Sequence, residues 1–336
     1  MSELNKIALK IISNGKGILA ADESNGTMSK RLEAVNVAST PENRLLFRET
    51  LFSSKSMEEC IGGVILYDET INQITSSGKS IPDLISISGA LPGIKVDTGA
   101  KELANSSEEK ITEGLDGLRD RLKKYYELGA RFTKWRGVYL ISEKYPTKLA
   151  IRSNAHALAR YSALVQESGM VPIVEPEVLM DGDHSADVCF SKTSEVIKNC
   201  FEELTLHKID LSGIILKPNM IINGNKSKNK ISNEEISQKT IECLKNSVPS
   251  EVPGIAFLSG GQSELEATEN LNLINKNNNT NFIMTYSYGR ALQQSALKIW
   301  SKNIEDIEAT QKTFNHRAKM CTLAAQGKWA SELENE

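Results

Sequence analysis

Eight short apolar runs, separated by segments of helical character, predict a (β/α)8 TIM barrel in the α/β class. Charged residues gather at or near the carboxyl end of nearly every run, which is where a parallel barrel opens its mouth. No Pro/Gly/Ser-rich linker, close repeat or low-complexity tract divides the 336 residues. Residues 1–336 are therefore expected to form one barrel domain, with 329–336 as a short C-terminal tail. Periodicity alone does not prove closure, and a doubly wound open sheet is the alternative.

The first four runs are Gly17–Ala21, Ile61–Tyr67, Gly93–Val96 and Phe132–Val138. The second four are Val171–Val174, Gly213–Leu216, Gly254–Leu258 and Phe282–Tyr286. Runs this apolar read as strands covered on both faces, the habit of parallel sheets. Between them, Thr147 to Ser168 is alanine-rich, begins just after Pro146 and stops at Gly169, which is helix punctuation. Glu113 to Leu128 stops similarly at Gly129, and Ser263 to Leu273 and Arg290 to Trp300 are shorter helical segments. Asn223 to Lys230 and Asn275 to Asn281 read as polar surface loops, the lysines of the first being solvated rather than a binding patch. Ile304 to Ala325 is expected to be a final helix packed outside the barrel, and Trp329 to Glu336 to fray.

Composition narrows the class of function. Hydrophobic content of 40% and charged content of 25% are those of a soluble globular protein, and a net charge of -3 gives no electrostatic reason to expect nucleic acid or an anionic membrane as partner. The five cysteines are scattered, odd in number and free of any CxxC, so a reducing, cytoplasmic setting is expected. Behind Met1 there is no long apolar stretch, so neither export nor membrane insertion is expected. The four histidines show no HxH or HExxH spacing, and Asp181-Gly182-Asp183-His184 reads as a polar turn, so no metal is expected. No GxGxxG follows a strand, and no cofactor is expected either.

The residues that carry chemistry start with Lys217. In Leu211-Ser212-Gly213-Ile214-Ile215-Leu216-Lys217-Pro218-Asn219-Met220, an apolar run ends in a lysine and a proline forbids simple continuation. Burial disfavours an ammonium, and a neutral amine is a nucleophile, so Lys217 is a candidate for covalent catalysis. Asp22, Lys95, Lys134 with Arg136, and Glu175 with Glu177 stand at other strand ends; residues two apart on a strand share a face. Cations and carboxylates meeting at one mouth suit a polyanionic substrate and proton transfer. Ser259-Gly260-Gly261-Gln262-Ser263 and Ser287-Tyr288-Gly289-Arg290 leave the last two strands, the recurrent phosphate site of this architecture. Lys30 and Arg31, a short polar turn after the first strand, are a second candidate anion site.

These motifs have a family likeness. Gly17-Ile18-Leu19-Ala20-Ala21-Asp22-Glu23-Ser24, Gly93-Ile94-Lys95-Val96-Asp97, Lys134-Trp135-Arg136, Val171-Pro172-Ile173-Val174-Glu175-Pro176-Glu177, Leu216-Lys217-Pro218-Asn219-Met220, Leu258-Ser259-Gly260-Gly261-Gln262-Ser263 and Ser287-Tyr288-Gly289-Arg290-Ala291-Leu292 together resemble class I fructose-bisphosphate aldolase, from about residue 14 to Lys328. The resemblance implies that Lys217 forms a Schiff base with the C2 ketone of fructose 1,6-bisphosphate. It further implies that Glu175 is the general base and that Glu177 assists formation and dehydration of the carbinolamine. Lys134 is implied to disfavour protonation of Lys217, and Asp22 to orient substrate hydroxyls and the lysines. Lys95 and Arg136 resemble residues near the phosphate ends. Ser259, Gly260, Gly261, Ser287 and Arg290 match the C1-phosphate site, and Arg31 the other subsite. A phosphosugar substrate and a homotetramer are likewise implied. Animal members end in a mobile tail whose tyrosine moves a proton at C3; none stands in Lys328–Glu336, so Glu175 or water is expected to serve that step, or the step to be slower. Two alternatives stand beside this reading: an idle barrel that binds phosphosugars or a protein partner, and a Schiff-base aldolase for a different phosphorylated sugar.

Overall fold

The computed structural model describes residues 1–335. Ten strands occur among them: β1 (Gly17–Ala21), β2 (Ile61–Leu66), β3 (Leu91–Lys95), β4 (Gly99–Glu102), β5 (Lys110–Glu113), β6 (Phe132–Tyr139), β7 (Val171–Val178), β8 (Ile215–Leu216), β9 (Gly254–Phe257) and β10 (Ile283–Tyr288). Eight close into a barrel in the order β1-β10-β9-β8-β7-β6-β3-β2, every pair parallel. Closure excludes the open sheet, and each of the eight expected runs contributes one barrel strand.

Side-chain alternation sorts the strands into two cores. Ile18, Ala20, Ile65, Phe132, Val171, Ile173, Ile215 and Ala256 form a cluster inside the ring. Ala8, Ile11 and Ile12 join it from the helix Glu3–Ile12, which plugs the amino-terminal end of the barrel. The bulky Phe132 ring fits because Gly93 and Gly63 lack side chains; a Cβ on Gly93 would lie 2.3 Å from it. Residues of the opposite parity, among them Leu19, Val64, Ile94, Trp135, Val174, Leu216 and Phe257, face the surrounding helices in the larger cluster. The same parity that sends Phe132 and Ile173 inward sends Lys134, Arg136, Glu175 and Glu177 into the lumen, two and four residues nearer the mouth.

The helix expected after Pro146 runs from Lys148 to Glu167, with the Thr147 hydroxyl accepting from the Ala150 N–H as N-cap. Arg290–Trp300 has the expected bounds. Other expectations need correction. The helix expected from Glu113 begins at Leu118, because Glu113 closes an antiparallel hairpin of β4 with β5. The helix expected to end at Leu273 continues to Asn277, and its start at Glu264 is fixed by a reciprocal capping box between Ser263 and Glu266. The final helix starts at Ile307. The residues Trp329 to Asn335 are not frayed. Trp329 is buried, its N–H donates to Asn272 Oδ1 at 3.1 Å, and its indole N–H donates to Glu334 Oε1 at 2.8 Å. Glu334 is also ion-paired with Arg317 at 2.6 Å, and Glu336 lies outside the described residues. Among the described residues no helix is long and apolar enough to cross a membrane, and all five cysteines are free and buried.

Candidate active site

The carboxyl ends of the strands surround a cavity of about 750 Å³. Every site residue expected from the sequence lines it: Asp22, Arg31, Lys95, Lys134, Arg136, Glu175, Glu177, Lys217, Ser259, Gly260, Gly261, Ser287 and Arg290. The ladder places its centre. Val174 pairs with Leu216 and the Lys217 N–H donates to the Val174 carbonyl at 2.8 Å, so the next residues, Glu175 and Lys217, stand side by side. Lys217 Nζ lies 3.2 Å from Glu175 Oε1. Lys134 Nζ lies 3.3 Å from Glu175 Oε2 and donates to Asp22 Oδ2 at 2.8 Å. All three of Lys134, Glu175 and Lys217 are at most 5% exposed. One buried carboxylate thus bridges two lysines, and a second acid secures the outer one.

Electrostatics separates the acids. Burial alone would raise the Asp22 carboxyl, but Lys134 and then Lys217 outweigh it and hold it well below the usual range. Glu175 is likewise lowered, burial being overcome by Lys134, Lys217 and Arg136. Glu177 goes the other way: burial and the Glu175 charge raise it, although Arg136 donates to its Oε2 at 3.0 Å. Burial would lower the Lys134 ammonium, but Asp22 and Glu175 raise it above the lysine range. Two glutamates two residues apart are therefore pushed in opposite directions.

The far wall is built for anions. Gly260 and Gly261 have φ of 56° and 78°, in the left-handed region that favours glycine, and a Cβ on Gly261 would lie 2.6 Å from Met180 Sδ. Gly289 caps the helix that Arg290 opens. The Ser287 hydroxyl is buried with no hydrogen-bond partner in the protein. Backbone N–H groups at a helix start, an arginine and an unpaired hydroxyl together suit a phosphate.

A family model described as "Fructose-bisphosphate aldolase class-I" matches residues 3–336. The chain belongs to the class I fructose-bisphosphate aldolases. It is 48% identical over 333 residues to fructose-bisphosphate aldolase 4, cytosolic, of Arabidopsis thaliana, covering 99% of this chain and 85% of that one. It is 46% identical over 330 residues to the probable fructose-bisphosphate aldolase class 1 of Xanthomonas campestris, covering 98% and 99%. Among solved structures, fructose-bisphosphate aldolase from Plasmodium falciparum, in complex with TRAP and a small molecule inhibitor, superposes with a TM-score of 0.96 at 42% identity, covering 98% and 95%. The activity is that of a Schiff-base lyase of glycolysis and gluconeogenesis, cleaving fructose 1,6-bisphosphate reversibly.

Two acids of this aldolase site had no role in the sequence reading. Asp97 Oδ1 lies 2.7 Å from Lys95 Nζ, and Glu23 is ion-paired with Arg31. Buried Arg48 backs Glu23, donating to its carbonyl at 2.9 Å. Asp97 sits two residues beyond Lys95, the same spacing that linked Lys134 to Arg136, so the pairing was in principle legible. Glu23 and Arg31 are eight residues apart across a turn, with no pattern that announces their contact.

Proposed function

We propose that Lys217 is the Schiff-base lysine and that Glu175 and Glu177 divide the proton transfers between them. The observation that carries this is the Lys217–Glu175 contact at 3.2 Å, beside a glutamate pushed the opposite way. Open-chain fructose 1,6-bisphosphate presents its C2 ketone to Nζ of Lys217, whose attack gives a carbinolamine. Glu177, raised and so able to carry a proton, protonates the departing hydroxyl, which leaves as water and forms the iminium. Glu175, lowered and so ionised, takes the C4 hydroxyl proton. The C3–C4 bond then breaks, its electron pair moves into the iminium to form an enamine, and glyceraldehyde 3-phosphate leaves. Protonation at C3 by Glu175 or water and hydrolysis of the imine release dihydroxyacetone phosphate.

Around this centre Lys134, held cationic, fixes both Glu175 and Asp22, and Asp22 orients substrate hydroxyls. Ser259, Gly260, Gly261, Ser287 and Arg290 take the C1 phosphate, and Arg31 the opposite subsite, with Lys95 and Arg136 near the phosphate ends. We assign residues 1–336 to one domain, working in the cytosol as a homotetramer, the assembly being inferred from the family resemblance. Two Arabidopsis relatives are named cytosolic.

The division of labour is tested by comparing Glu175→Gln with Glu177→Gln. Glu177→Gln is expected to slow imine formation, measured as the rate of borohydride trapping with dihydroxyacetone phosphate. Glu175→Gln is expected to slow cleavage with trapping retained. Equal effects on both steps in both variants would refute the assignment.

A further inference from the structure

The helices Lys148–Glu167 and Ala186–Leu206 pack side by side on the outside of the barrel. Their outward faces bring together three side chains the aldolase chemistry does not use. Glu203 and His207 are one helical turn apart and share a face; His156 reaches them from the neighbouring helix. His156 Nδ1 lies 3.3 Å from Glu203 Oε2, and His207 Nδ1 lies 3.7 Å from the same oxygen. One ligating atom from each residue falls within 4.8 Å of the other two. The two imidazole rings meet edge to face with centroids 5.2 Å apart.

The 3.3 Å His156–Glu203 contact and the 5.2 Å ring spacing match a tetrahedral ion, and the 3.7 Å His207–Glu203 distance needs only a small side-chain adjustment to reach it. With bonds of about 2.05 Å the donor atoms stand about 3.3 Å apart, and two imidazoles on one ion have ring centres about 5.2 Å apart. We propose that His156, Glu203 and His207 bind a divalent transition metal, Zn²⁺ by preference, with solvent in the remaining position. Two imidazoles and one carboxylate suit Zn²⁺, whereas Mg²⁺ and Ca²⁺ demand oxygen ligands. All three side chains are partly exposed, so the ion has an entry path. In the metal-free chain His207 Nδ1–H donates to the Glu203 carbonyl at 2.9 Å. On capture His207 gives up this hydrogen bond and shifts by solvent exchange to the tautomer with its proton on Nε2, so that the ring stays neutral and the Nδ1 lone pair is free for the ion. The ion clips two neighbouring helices together and takes no part in cleavage.

The test is titration of the EDTA-stripped full-length protein with Zn²⁺ by calorimetry, with Co²⁺ by visible absorption, and with Mg²⁺ as control. One Zn²⁺ per chain, Co²⁺ d–d bands of a four- or five-coordinate site, and a Zn²⁺-dependent rise in Tm are expected. His156→Ala and His207→Ala should each weaken binding by at least about 10-fold, with cleavage of fructose 1,6-bisphosphate unchanged. His156 is about half exposed, so its replacement leaves the fold intact. Absence of stoichiometric binding, equal binding of Mg²⁺, or undiminished binding in either variant would overturn the proposal.

Discussion

Replacing Glu175 by glutamine keeps its shape and removes its charge, and the surrounding distances define what is lost. Glu175 is 3% exposed and touches Lys217 Nζ at 3.2 Å and Lys134 Nζ at 3.3 Å. Lys134 keeps Asp22 at 2.8 Å, so it remains paired; among the described residues Lys217 loses its only ionic partner. A positioned general base contributes about 10²- to 10⁴-fold, which corresponds to about 3–5 kcal/mol of barrier. The expected result is therefore a kcat for fructose 1,6-bisphosphate cleavage lower by two to four decades, roughly the span quoted for general bases. In the proposed mechanism imine formation uses the Lys217 amine and not this base, so borohydride with dihydroxyacetone phosphate should still add one triose to the chain. A coupled cleavage assay and intact-mass spectrometry read the two outcomes on the same preparation. Cleavage at near wild-type rate would remove Glu175 from the base role; loss of trapping together with cleavage, in a normally folded variant, would show that Glu175 serves the amine rather than the C4 hydroxyl.

Three further outcomes follow from the same geometry. Asp22 and Glu175 titrate in the folded chain below their unfolded values of about 3.9 and 4.3, so the stability they supply is complete above about pH 4 and is lost as pH falls through the folded values. Asp22→Asn should therefore be less stable than wild type at pH 7, toward the low end of the roughly 3–5 kcal/mol typical of a broken buried pair because Glu175 still holds Lys134. That gap should narrow below pH 4 in urea melts, and a gap constant from pH 7 to 3 would contradict the pairing. Gly261→Ala puts a Cβ at φ 78° and against Met180, so KM for fructose 1,6-bisphosphate should rise while trapping at saturating dihydroxyacetone phosphate persists; an unchanged KM would detach this turn from phosphate binding. EDTA should leave cleavage intact, because the iminium is the electron sink, and a strong loss restored by added Zn²⁺ would count against it.

The barrel was legible because each of its strands carries a buried, mainly apolar run that stands out against polar connections. What escaped has local physical reasons. The β4–β5 hairpin is largely polar and exposed, so neither strand shows a buried run, and Glu113 was taken into the following helix. The expected strand stopped at Val174, yet β7 continues to Val178, paired on one side with β6 while β8 stops at Leu216. Gly213, expected to open its strand, instead closes a 3-10 turn over Leu211–Gly213, held by Asp210 accepting from the Ser212 N–H at 3.0 Å. The mouth was readable because parity places Lys134, Glu175 and Lys217 on the inner face and strand order makes them neighbours. The contacts of Glu23 with Arg31 and of His156 with Glu203 are set by helix packing and turn geometry, to which a linear pattern is blind.

Whether the reaction runs through an imine on Lys217 is tested most directly by borohydride reduction in the presence of dihydroxyacetone phosphate, followed by peptide mapping. One reduced triose phosphate on the peptide that carries Lys217, absent from Lys217→Ala, is the expected result. A protein that cleaves fructose 1,6-bisphosphate with no adduct, or with the adduct on Lys134 or Lys95 instead, would contradict it.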